Sequence, residues 1–241
     1  MKIKPTAIVI ADISGYTNFV RQHGTSLLHA EQIITDLLET IIETSAHPLT
    51  LNKLQGDSAL FYASVDDRSE VALMTRDVLR QTNAFFESFY VKERELLACR
   101  LCLCDACRNV GQLRLKVVLH VGDVAFKQVR QFEELAGEPV IVAHRLMKNS
   151  IPTREYLLMT DTFYAASGGL AERTPESRRE VCEGVGSVAV KVYYPSGTDS
   201  GESIPKPTLM DRLRLHWRVS SYAIRRGLGM KPAYEFKNIP K

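Results

Sequence analysis

The chain has 241 residues, is 45% hydrophobic and 24% charged, and carries a formal net charge of +3. That composition fits a folded protein with a sizeable core and excludes a disordered or low-complexity chain. No apolar run approaches the roughly eighteen residues of a spanning helix, the N-terminal run meets Asp12 too early for a signal peptide, and the charge is too small to imply nucleic acid.

A cytoplasmic protein that binds no nucleic acid is therefore expected. TAIVIAD, residues 6–12, reads as a buried strand ending on an acid. Ser14-Gly15 follow, and a helix begins after them. Residues 26–45 have helical apolar spacing, with His47-Pro48 as the stop. LTLNKLQGDSALFYA, 49–63, reads as two strands around Gln55-Gly56-Asp57. Residues 69–90 form an amphipathic helix. A cysteine segment at 99–107 interrupts the pattern as an insertion, about 96–112.

Residues 113–129 read as a second hairpin turning near Gly122-Asp123. A helix follows over 138–148 and a strand over 155–161. Residues 162–182 are polar and give no clear period, and 187–195 is a last strand. A Gly/Ser/Pro-rich linker, 196–207, leads to a basic amphipathic extension, 208–241, with a helix over about 208–226. The order predicts an α+β sandwich of ferredoxin-like type, its mostly antiparallel sheet carrying helices on one face.

Asp12 and Asp57 both fall where the backbone turns sharply. Mg²⁺ takes one or two protein carboxylates and fills its shell with water and substrate phosphates. A helix start after Asp12 favours phosphate, and Gly15 lets the backbone approach one closely. Taken singly, Asp12 also reads as a helix cap and Asp57 as a turn residue.

Four motifs stand in order: ADISGYTNF at 11–19, Lys53-Leu-Gln-Gly56-Asp57, His120-Val-Gly122-Asp-Val124, and Gly137-Glu-Pro-Val-Ile-Val-Ala143-His-Arg145-Leu. Over residues 5 to about 195 they resemble the class III nucleotidyl cyclase catalytic domain. IVAHRLMKNSIPTREYLLMTD also looks like a little-characterised bacterial cyclase-like group with a cysteine-rich insertion.

The resemblance implies a homodimer with active sites between subunits. Asp12 and Asp57 would hold two Mg²⁺ or Mn²⁺ ions, one helping to deprotonate the ribose 3′-hydroxyl and one bracing the phosphates. Ile13, Gly15, Tyr16 and Thr17 fall in the phosphate loop, Lys53 matches the purine-reading lysine, and Arg145 matches the arginine that stabilises charge on the α-phosphate. The substrate would be ATP or GTP, and the products a 3′,5′-cyclic monophosphate and pyrophosphate.

Two positions depart from the family pattern. The base-reading aspartate is Glu134, one methylene longer, and the ribose-positioning asparagine is Ile141, which cannot hydrogen-bond. A module that binds nucleotide or a partner without turnover is the alternative, and a scaffold using the cysteine segment and basic helix is a third. On the residues alone, Lys53 also reads as the solvent face of a strand and Arg145 as the partner of a surface acid. His120 reads as a structural histidine, outside the site.

CRLCLCDAC presents Cys99, Cys102, Cys104 and Cys107 as candidate ligands of a structural Zn²⁺. All four on one ion is cramped. Cys102, Cys104 and Cys107 completed by another group, or a site shared across a dimer, are equal alternatives, and reduced thiols are the plain one. From Arg212 to Lys241 eight Lys or Arg face Glu235 alone. Such a helix lies on an anionic membrane or a partner, or packs on its own domain with its arginines in water.

Overall fold

The first strand, β1 (Lys2–Ser14), explains the apolar run that opens the chain. Ala7, Val9, Ala11 and Ile13 are buried in one core cluster, while Ile8 and Ile10 are buried in another on the opposite face. A strand covered on both faces has no polar side to alternate with. The computed structural model describes residues 1–22, 27–98 and 105–195, together with Met210, Leu213 and Trp217.

After β1 come α1 (Tyr16–Gln22), α2 (Leu27–Thr44), the hairpin β2 (Thr50–Gln55) and β3 (Ser58–Ser64), and α3 (Val71–Ala98). α4 (Asp105–Asn109) precedes β4 (Arg114–Val129), β5 (Phe132–Ala136), α5 (Glu138–Leu146), β6 (Tyr156–Thr160), α6 (Asp161–Ser167), β7 (Glu176–Cys182) and β8 (Gly186–Tyr193). The sheet runs β2-β3-β1-β4-β6-β8-β7, with β5 paired to β4. Only β4 and β6 pair in parallel among these strands; the rest are antiparallel. The expected mostly antiparallel α+β sheet with helices is what the chain forms.

Two expectations need correcting. Helices lie on both faces: α2, α3 and α6 contribute Leu37, Phe85, Phe89 and Phe163 to the large core, while α5 places Val142, Ala143 and Leu146 against the other face. The second hairpin does not turn at Gly122-Asp123. β4 runs straight through, pairing Gly122 with Thr6 and Asp123 with Pro5, and the chain reverses between Val129 and Phe132, where Arg130 takes φ 56°. Gly122 serves packing: a Cβ there would lie 2.6 Å from Cγ of Pro139, at the start of α5.

The polar stretch without a clear period contains α6 and β7. Met210, Leu213 and Trp217 are helical and exposed. The linker, the rest of the basic extension, and Cys99, Cys102 and Cys104 lie outside the described residues. No helix among the described residues is long and apolar enough to cross a membrane.

Candidate active site

Asp12 projects from the end of β1 on the face that α5 covers, in register with Lys116 of β4. Lys116 Nζ lies 3.1 Å from Asp12 Oδ2. Asp57 follows Gly56, which takes φ 64° to close the β2–β3 turn. The backbone N–H of Ile13 donates to the Asp57 carbonyl at 3.0 Å and ties the hairpin tip to the strand end. The two carboxylates expected to act together are thus brought together.

Their surroundings disfavour the ionised form of both. Burial raises the pKa of Asp12, partly offset by the charge and hydrogen bond of Lys116. Burial also raises Asp57, and the charge of Asp12 raises it further. Two crowded, desolvated carboxylates resist ionisation, and a divalent cation is the partner that relieves both penalties.

Beyond Asp12 the loop turns at Gly15, whose φ is 97°. The Gly15 carbonyl accepts from Phe19 N–H at 2.9 Å and opens α1. A side chain at Gly15 would start 3.4 Å from Arg154 Nη1 and from the Gln112 carbonyl. Tyr16 donates to Glu31 Oε1 at 3.1 Å, which anchors the loop to α2. Its pKa is raised by burial and by Glu31, with the charge of Asp57 also in reach. Thr17 is exposed, and the Ile13 side chain lies in the core.

Lys53 of β2 and Glu134 of β5 form a second group, Nζ to Oε2 2.6 Å apart. Neighbouring contacts seat the β4–β5 arm over this hairpin, with Tyr62 donating to Glu133 Oε1 at 3.0 Å. Arg145, on the last turn of α5, pairs with Glu183 at 3.2 Å. Among the described residues neither Arg145 nor the Lys53–Glu134 pair makes a hydrogen bond or ion pair with Asp12 or Asp57. Ile141 is 53% exposed on α5.

The sequence reading missed Lys116, Arg154 and His144. His144 is half-buried and its pKa is lowered by burial and by the charge of Lys53. Lys116 interrupts the apolar run LRLKVVLH, and only the strand register reveals that it meets Asp12. His120 behaves as the structural histidine expected: Nδ1 lies 2.9 Å from Thr160 Oγ1, and burial pushes its pKa down to about 4.

A family model described as "Protein of unknown function (DUF2652)" matches residues 34–156, just over half of the chain. This chain belongs to that family. It is also 29% identical over 207 residues to "Uncharacterized protein Rv2561/Rv2562" of Mycobacterium tuberculosis (strain ATCC 25618 / H37Rv), covering 83% of this chain and 91% of that one. Among solved structures, the guanylyl cyclase Cya2 matches with TM-score 0.62 at 14% identity, over 82% of this chain and 96% of that chain. The adenylyl cyclase CyaB from P. aeruginosa matches with TM-score 0.59 at 14% identity, over 80% and 95%. The DUF2652 chain therefore has the class III adenylyl/guanylyl cyclase fold.

Proposed function

We propose that this protein binds a purine nucleoside triphosphate with divalent cations at a homodimer interface and converts it to the 3′,5′-cyclic monophosphate and pyrophosphate. The observation that carries this reading is the pairing of Asp12 and Asp57, two carboxylates with raised pKa values joined through the Ile13–Asp57 backbone bond. The donor set fits Mg²⁺ or Mn²⁺, which prefer carboxylate oxygen and leave room for phosphate. Bound there, the ions would acidify the ribose 3′-hydroxyl and brace the phosphates.

The chain's own residues supply the rest. The Gly15 turn admits a phosphate to the backbone, and Tyr16, held by Glu31, fixes the loop. Lys116 shields Asp12 until a cation replaces its ammonium group, which then faces phosphate oxygens. Lys53 donates to a ring acceptor of the purine and Glu134 accepts from its N–H groups. In the reaction the 3′-oxygen bonds to the α-phosphorus, the bond to the β-phosphate oxygen breaks, and the hydroxyl proton leaves to solvent. Arg145 offsets charge on the α-phosphate. Within one chain Arg145 and the Lys53–Glu134 pair share no hydrogen bond or ion pair with the two aspartates among the described residues, and a second copy would supply these groups across the interface.

The exposed Ile141 favours a second reading, nucleotide binding without turnover. Where the resemblance calls for an amide toward the ribose, this chain offers only a hydrocarbon. Incubation with ATP or GTP and Mn²⁺, followed by chromatography, separates the two. Cyclic product that disappears in Asp57→Ala supports the enzyme. Nucleotide-dependent thermal stabilisation without product leaves the binding module, and neither effect overturns both.

A further inference from the structure

The strand register brings one further cation to the loop that turns at Gly15. Lys116 pairs with Asp12 on one side and with Tyr156 on the other. Two residues further toward the same end of the sheet come Ser14, Arg114 and Arg154, and Gly15 follows Ser14 directly. A Cβ placed on Gly15 would lie 3.4 Å from Arg154 Nη1, so the guanidinium is set against the loop itself. The short connection from α5 to β6 that carries Arg154 is well anchored. The Asn149 side chain donates to the Leu146 carbonyl at 2.8 Å and to the Tyr156 hydroxyl at 2.7 Å, and its Oδ1 accepts from Ile151 N–H at 3.1 Å. Ile151 itself is buried.

The charges around it are already matched. Arg114 lies 3.1 Å from Glu93 and 3.5 Å from Glu155, and Lys116 lies 3.1 Å from Asp12. Lys53 is 2.6 Å from Glu134, and Arg145 is 3.2 Å from Glu183. Arg154 differs from all of these: among the described residues it makes no hydrogen bond or ion pair, and it is exposed. An exposed arginine without a partner is ordinarily a cation in water. Here it is held beside a glycine turn three residues past Asp12, and its planar fork of N–H donors matches phosphate oxygens.

Given the nucleotide site proposed above, we infer that Arg154 binds the terminal phosphate of the triphosphate. The α-phosphate has to stand at the cations held by Asp12 and Asp57, where the 3′-oxygen attacks it. The loop from Ile13 to Thr17 leads away from Asp12, so a phosphate seated on the Gly15 turn is the far end of the chain. A phosphate oxygen about 3 Å from a loop N–H is within reach of Arg154 by side-chain rotation alone. Two parallel N–H···O bonds from the guanidinium then fix that phosphate. A triphosphate gains a contact that a diphosphate cannot make, so Arg154 reads the length of the phosphate chain.

Calorimetric titration of the full chain in Mn²⁺, with a non-hydrolysable ATP analogue and with ADP, tests this in the parent, Arg154→Ala, Arg154→Lys and Asp57→Asn. The parent is expected to bind the ATP analogue at least about tenfold more tightly than ADP. Arg154→Ala should weaken the ATP analogue about tenfold or more, leave ADP within about twofold, and leave the Tm within about 2 °C of the parent. Arg154→Lys keeps the charge and loses the fork, so its affinity for the ATP analogue should fall between those two. Binding that needs Asp57 but keeps the parent's ratio of ATP analogue to ADP in Arg154→Ala overturns the role of Arg154 and leaves the nucleotide site standing. A parent that binds neither nucleotide overturns both.

Discussion

Replacing Lys116 with methionine isolates the electrostatics of the candidate site. The Lys116 and Asp12 side chains are only 21% and 16% exposed, with 3.1 Å between Nζ and Oδ2. At an effective dielectric near 20 that separation is worth about 5 kcal/mol of Coulomb energy, most of it offset by desolvation. Removing one partner costs up to about 1 kcal/mol at the surface and about 3–5 kcal/mol when fully buried. With four-fifths of each side chain covered, about 2–3 kcal/mol is expected. That loss lowers the Tm by about 5–10 °C in a domain of this size. The same change removes the cation that competes for Asp12, so Mn²⁺ should stabilise Lys116→Met more than it stabilises the parent. Thermal unfolding near neutral pH, with and without Mn²⁺, reads both effects. A loss below about 0.5 kcal/mol, or a Mn²⁺ response no larger than the parent's, refutes the reasoning.

Three other outcomes follow from the same geometry. Both site aspartates have raised folded pKa values, so the stability they contribute without metal is complete below the usual carboxylate range and is lost as pH rises through the raised values. Mn²⁺ stabilisation must run oppositely, absent when both are protonated and growing as pH rises through the raised values; a Tm series that shows no such trend contradicts the cation site. Gly15→Ala forces a φ of 97° on an L-residue and a contact of 3.4 Å with Arg154 and Gln112. It should cost about 1–2 kcal/mol and weaken nucleotide binding about tenfold, measured by calorimetry. Ile141→Asn sits on an exposed position, so stability should change by less than about 0.5 kcal/mol. If turnover exists it should rise about tenfold or more, and an unchanged rate argues against a ribose contact there.

The two aspartates were legible because Asp12 breaks an apolar run three residues before Gly15 and Asp57 directly follows Gly56 between two apolar runs. Lys116 was not, since its role depends on a register between strands about a hundred residues apart in sequence. The false hairpin at Gly122-Asp123 has a similar origin: a glycine that looks like turn chemistry is there to admit Pro139. β7 hid for a different reason. Its pattern is inverted, with Val181 82% exposed and Glu180 3% exposed. The Glu180 carboxylate is held by Ser150 N–H at 2.8 Å, Ser150 Oγ at 3.0 Å and Arg178 at 3.4 Å, and a buried acid in such a network carries no hydrophobic signal.

The most direct test titrates the protein with non-hydrolysable ATP and GTP analogues, with and without Mn²⁺, in the parent and in Asp57→Asn. Binding that requires Mn²⁺ and is lost in Asp57→Asn is the expected result. Binding of equal strength without the cation, or binding that survives Asp57→Asn unchanged, contradicts a nucleotide site built on Asp12 and Asp57.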